Sequence, residues 1–122
     1  MKMQEMFCTY SVDQLPAGFK YPSRYLDFAK SIGLPKDFSW WFDDASTEGG
    51  QLSWKLRGSY GEWVGLEGRN LIPFAQLNDD AAFFDGDDLS GDPKVVVIDL
   101  GNKERVYELP SFEAWLHDVL QG

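Results

Sequence analysis

His117 is the only imidazole and Cys8 the only thiol in a chain that carries twenty carboxylates. Reactive chemistry therefore has few places to start. A Ser-His-Asp or Cys-His set needs a histidine close to its nucleophile. His117 falls in a C-terminal helical pattern without a motif partner, where a cation simply suits the helix dipole. Cys8 has no basic neighbour that would make it a thiolate, so it reads as a small buried hydrophobe. A lone cysteine also forms neither an internal disulfide nor a CxxC zinc site. The densest run of potential ligands is Asp79, Asp80, Asp85, Asp87, Asp88 and Asp92. Its spacing fails as an EF-hand: a frame opened at Asp85 places Leu89 and Val96 where ligands belong, and one opened at Asp44 ends on Lys55. An irregular calcium loop is the only metal option left open. No spacing singles out a glycosidase-like carboxylate pair. The glycines form no GxxxxGK[ST] cradle, and Gly58-Ser59-Tyr60-Gly61 lacks a strand-then-helix context. The sequence therefore implies no catalytic set and no cofactor.

Eleven basic residues against twenty acidic ones give a net charge of −9 over 122 residues. That field repels phosphate backbones and anionic head groups, which argues against direct contact with nucleic acid or membrane. Its natural counterpart is a basic protein, although acidic loops often serve solubility alone. The opening residues MKMQEMFCTYSV contain no apolar leader core, and the longest apolar run, Val95 to Ile98, falls far short of a ~20-residue span. With the single cysteine, this predicts a cytoplasmic protein. Nine Phe, five Trp and five Tyr are apolar enough to fold without staples, as one domain over residues 1–122.

The elements that must position these groups follow from periodicity. Phe7 to Val12 suggests an edge strand or arm. From Ser23, as N-cap, Tyr25, Phe28, Ala29 and Ile32 fall on one helical stripe that closes at Gly33. Pro35 opens a second helical turn through Phe38, Trp41 and Phe42, stopped by the Ser46-Thr47-Glu48-Gly49-Gly50 stretch. Leu52, Trp54 and Leu56 then alternate with polar residues as a half-buried strand does. Trp63 to Leu66, Leu71 to Ala75, Ala81 to Phe84, Val95 to Leu100 and Arg105 to Leu109 read as further strands. Pro73 suits an edge or a bulge, having no N–H for the ladder. Ser111 caps a final helix with Phe112, Trp115, Leu116, Val119 and Leu120 on one stripe. The predicted class is α+β: N-terminal helices, a mainly antiparallel sheet of about five or six short strands, and one C-terminal amphipathic helix.

In order along the chain, Leu71-Ile72-Pro73-Phe74-Ala75, Asn78-Asp79-Asp80-Ala81-Ala82-Phe83-Phe84-Asp85, Lys94-Val95-Val96-Val97-Ile98 and Ser111-Phe112-Glu113-Ala114-Trp115-Leu116 resemble the SUKH superfamily. That superfamily includes bacterial toxin-immunity proteins and fungal cell-wall regulators. Upstream, Gly33-Leu34-Pro35-Lys36-Asp37-Phe38 is similar to its element in which Leu-Pro opens a helix. Many members place Asn-Gly after that helix, whereas here Trp40-Trp41-Phe42-Asp43-Asp44 runs on toward Gly50. The resemblance implies an α+β fold and a binding role without catalysis. The expected function is neutralisation of a cognate protein toxin, a basic nuclease fitting the charge. Asp79, Asp80, Asp85, Asp87, Asp88 and Asp92 would steer the encounter from one connecting loop, and Trp40, Trp41 and Trp54 would anchor it. Neighbours on a helix lie ~100° apart, so one of Trp40 and Trp41 should be exposed. A regulatory or scaffolding interaction module is the alternative, followed by a small enzyme using carboxylates or His117.

Overall fold

The computed structural model describes residues 6–36 and 38–121. Of the amino-terminal segment read for a leader, residues 1–5 lie outside this set, as does Asp37 of the Leu-Pro element. The elements in chain order are α1 (Ser23–Ala29), β1 (Trp41–Phe42), α2 (Glu48–Leu56), β2 (Leu71–Leu77), β3 (Asp80–Asp85), β4 (Val95–Asp99), β5 (Asn102–Leu109) and α3 (Phe112–Gln121). The five strands form one sheet in the order β1-β2-β3-β4-β5 with every neighbouring pair antiparallel. The fold is α+β, as expected.

Strands β3 and β4 are covered on both faces, which explains why they read as continuous apolar runs rather than alternating ones. On the first face, Ile72, Phe74, Ala82, Phe84, Val95 and Val97 pack against Tyr25 and Phe28 of α1 and Phe112 and Trp115 of α3. Ser111 caps α3 by accepting the Ala114 N–H at 3.1 Å. On the second face, Leu71, Ala81, Phe83, Val96 and Ile98 meet Tyr60, Trp63 and Leu66 from the long connection between α2 and β2.

Four local expectations are corrected. Trp63 to Leu66 is a turn-rich lid: the left-handed backbone at Gly65 and Gly68 breaks the extended run. The Trp63 indole instead donates to the Asp99 carbonyl at 2.9 Å. Leu52, Trp54 and Leu56 belong to a helix, because Thr47 caps α2 by accepting the Gly50 N–H at 3.0 Å. The segment after Pro35 is not helical from Phe38 on. Trp41 and Phe42 pair with Gln76 and Ala75, and burying Phe42 against Phe7 and Phe38 outweighs the local i, i+4 pattern. Finally, α1 ends at Ala29, with Pro22 rather than Ser23 at its N-cap. Ser31 turns left-handed, leaving Ile32 exposed. Residues 7–12 hold no regular strand, and Phe7 is tied down by its N–H to the Ala29 carbonyl at 3.1 Å.

One irregularity in the sheet decides where the site lies. Pro73 pairs with Phe83 but Ala75 pairs with Ala82, so Phe74 is an extra residue in β2. Such a bulge reverses the facing of everything beyond it. Phe74 and Ala75 therefore both enter the first-face core, and Gln76 is carried to the opposite face beside Trp41.

Candidate functional site

The second face of the sheet is only partly covered. Between α2 and the exposed end of this face lies an open groove of about 580 Å³. Pro73, Gln76, Ala81 and Phe83 of the sheet are in its lining. Trp41, Leu52, Leu56 and Leu100 stand around it with 55%, 55%, 43% and 39% of their surface exposed. Leu52 and Leu56 are four residues apart on α2 and so share one helical stripe. Single exposed apolar residues are ordinary, but here four stand around one concavity, which makes it the candidate site.

Asp43, directly after β1, lines the groove and is the one buried charged residue among the described residues, 7% exposed. Its N–H donates to the Phe74 carbonyl at 2.9 Å. Its Oδ1 accepts from Ser53 Oγ at 3.1 Å and from Gln76 Nε2 at 3.0 Å, and that Nε2 also donates to Ser53 Oγ at 3.0 Å. Among the described residues its Oδ2 has no hydrogen-bond partner and no cation forms an ion pair with it. Burial pushes the carboxyl up to about 6 against the opposing effect of the Ser53 and Gln76 hydrogen bonds. The Tyr60 phenol is raised as well, by burial and then by the Asp43 charge. Asp44 behaves oppositely. Its slight burial is outweighed by hydrogen bonds from the Ser46 hydroxyl and N–H and the Cys8 N–H, which hold it below the usual carboxylate range. Asp44 thus fixes the loop, and the groove is left with one titratable carboxyl of raised affinity for protons.

Asp43 carries a defined pH signature. The carboxyl of the folded chain binds its proton up to about pH 6, whereas the ordinary value is 3.8. Its protonated form thus contributes stability that is complete below about pH 4 and lost as pH rises through 6. At ~1.4 kcal/mol per pH unit this amounts to roughly 3 kcal/mol. Urea unfolding of the wild type and of Asp43→Asn at pH 4 and pH 7 isolates it. The wild type should lose about that much relative to the variant across the interval. A difference independent of pH would mean the carboxylate ionises in place at no cost.

The residues expected to bind a partner are dispersed. Asp79 lies in the β2–β3 turn and Asp80 opens β3, while Asp85, at the opposite end of β3, leads into the loop with Asp87, Asp88 and Asp92. The six aspartates therefore do not form one connecting loop: the two groups sit at opposite ends of the six-residue strand β3, roughly 17 Å apart. Asp85 pairs with Arg69 at 3.5 Å and accepts the Asp87 N–H. Asp88 accepts the N–H groups of Ser90 and Lys94. Both are structural parts of their loop as well as charges. Trp40 is not an exposed anchor: it is buried, edge-on to Trp115 at 5.3 Å. Trp54 rests on Tyr10 at 4.8 Å with the Arg57 guanidinium 4.1 Å over its ring. Only Trp41 projects from the groove rim. The pair does split, with Trp41 exposed in β1 and Trp40 buried from the bend before it, rather than by helical rotation. Cys8 is exposed rather than buried, and His117 lies on the exposed side of α3, outside the groove. Among the described residues no three His, Cys, Asp or Glu side chains converge where a metal could sit, and no helix is long and apolar enough to cross a membrane.

Sequence reasoning missed Asp43, Ser53, Gln76, Leu52, Leu56 and Leu100. The one available signal was Thr47-Glu48 following Asp43-Asp44, a helix start that would have set Leu52 and Leu56 on one face. Comparison with protein-family models, curated proteins and solved structures returned no match.

Proposed function

We propose that the chain is a non-enzymatic binding protein, an immunity protein of the kind its SUKH resemblance implies. It would neutralise a basic bacterial toxin by occluding the toxin's charged site. The observation that carries this reading is the clustering of Trp41, Leu52, Leu56 and Leu100 around a groove whose own lining carboxylates, Asp43 and Asp44, form no ion pair among the described residues. Asp44 lines the groove, and Glu48 and Asp79 adjoin lining residues in the chain. None of the three forms an ion pair among the described residues, whereas Asp85 and Asp88 each do. An apolar rim with unbalanced negative charge suits a partner whose own surface is basic and partly apolar: charge speeds the encounter and the buried aromatic supplies most of the affinity.

The test is co-expression with any basic toxin found encoded beside the gene for this chain. Wild type should protect, and Trp41→Ser with Leu52→Ser should weaken toxin binding on the order of 100-fold and abolish protection. Both side chains are more than half exposed, so the melting temperature should hold. Leu120→Ser on α3, equally exposed but remote from the groove, serves as the neutral control. Protection by a folded double variant would place the interface elsewhere. Absence of any effect on the toxin by the wild type would favour a regulatory or scaffolding role.

A further inference from the structure

We propose that the groove receives one cationic side chain, a lysine or arginine of the partner protein, on the carboxylate of Asp43. The inference rests on the binding role proposed above and names the chemistry of its contact. A buried carboxylate is expensive unless a positive charge answers it. Asp43 is answered only by two neutral donors, Ser53 and Gln76, and keeps one oxygen without a partner. Nothing in the described chain fills this place. Lys55, the basic residue of α2, borders a second and more open depression beside Glu48 and does not line the groove.

The approach is built for a long cation. Gln76 is exposed and its amide holds Asp43 Oδ1, so it is the neutral donor that an incoming ammonium or guanidinium would replace. Leu52, Leu56 and Leu100 can hold a methylene stem along its length, as apolar surface does for lysine and arginine generally. The rings of Trp41 and Tyr60, also in the lining, add π faces to the same path. A purely structural role for the residue would be met more cheaply by an apolar side chain of similar size.

The probes are n-butylammonium and n-butylguanidinium, which reproduce the two side-chain ends, with n-butanol as the neutral match. Each is titrated into the isotopically labelled full chain and followed by NMR at the Gln76 side-chain amide, the Ser53 N–H and the Asp43 carboxyl carbon. The charged probes should give saturable shifts at these positions, several-fold larger than butanol gives. They should also lower the pH at which Asp43 titrates by roughly one to three units, as an opposite charge in contact does. In Asp43→Asn the preference for cation over alcohol should vanish. The wild-type titration decides the matter even if that variant folds poorly. Equal responses to butanol and butylammonium, or an Asp43 titration unmoved by either cation, would overturn the proposal. A chain that selects the cations but ignores the neighbouring toxin would instead refute the proposed function and leave the cation site standing.

Discussion

Trp115→Ala should lower the stability of the folded chain by ~3–5 kcal/mol, as judged from large-to-small aromatic substitutions in packed cores. Trp115 is wholly buried on α3 and lies where helix, sheet and the segment before β1 converge. Its ring meets Trp40 at 5.3 Å, Phe74 at 4.9 Å and Phe112 at 5.4 Å. Truncation leaves a cavity bounded by rigid rings that cannot collapse into it. Trp115→Phe should cost clearly less than the alanine change because it keeps most of the ring volume, and both changes remove an indole N–H that has no acceptor among the described residues. Chemical denaturation of the three proteins measures both differences. Equal losses for Phe and Ala would show that the site tolerates no partial filling.

Gly50→Ala should be comparably damaging, although it adds a methyl group to the surface helix that walls the groove. A Cβ at this position would overlap the Asp44 carbonyl, a backbone group with no freedom to move aside. Relief requires α2 to lift from the loop beneath it. That breaks the Tyr10 hydroxyl to Gly50 carbonyl bond at 2.6 Å and disturbs the Thr47 cap. The loss of one buried hydrogen bond and one cap suggests a cost of roughly 2–5 kcal/mol. Gly49→Ala, one residue away, meets nothing nearer than Thr47 Oγ1 at 3.9 Å. It should be neutral or stabilise by up to ~1 kcal/mol through helix propensity. Thermal melts and helical circular dichroism of the pair read the contrast directly. Equal behaviour of the two variants would mean that α2 does not rest on the Asp44 backbone.

The same glycine explains where the sequence misled. Gly49-Gly50 reads as a stop, yet it forms the first turn of α2, and Gly50 is there so that helix and loop backbones can touch. Leu52, Trp54 and Leu56 alternate over too few residues to separate a strand from a helix with apolar groups on two sides. Trp54 packs toward Tyr10, and Leu52 and Leu56 border the groove. By contrast, the sheet from Leu71 onward and α3 were legible, because Val95 to Ile98 and the Ser111-capped stripe each carry a pattern with one physical solution. The candidate site was not legible for a further reason. Nothing local distinguishes Asp43 from its acidic neighbours. Its burial follows from β1 pairing with β2, and its contact with Gln76 follows from the bulge at Phe74, a register event that Pro73 made plausible without locating it. The aspartate-rich segment, most conspicuous in sequence, is divided between the two ends of β3 by the β2–β3–β4 meander.

The central claim, that the proposed partner is held at the groove between α2 and the sheet, is tested most directly by amide hydrogen exchange of the chain alone and with that proposed toxin partner bound. Protection gained on binding should concentrate in residues 41–56 and 76–79 and around Leu100, with the loop of residues 86–94 and the outer side of α3 unchanged. Protection confined to that loop or to α3, with α2 exchanging as fast in the complex as in the free chain, would contradict it.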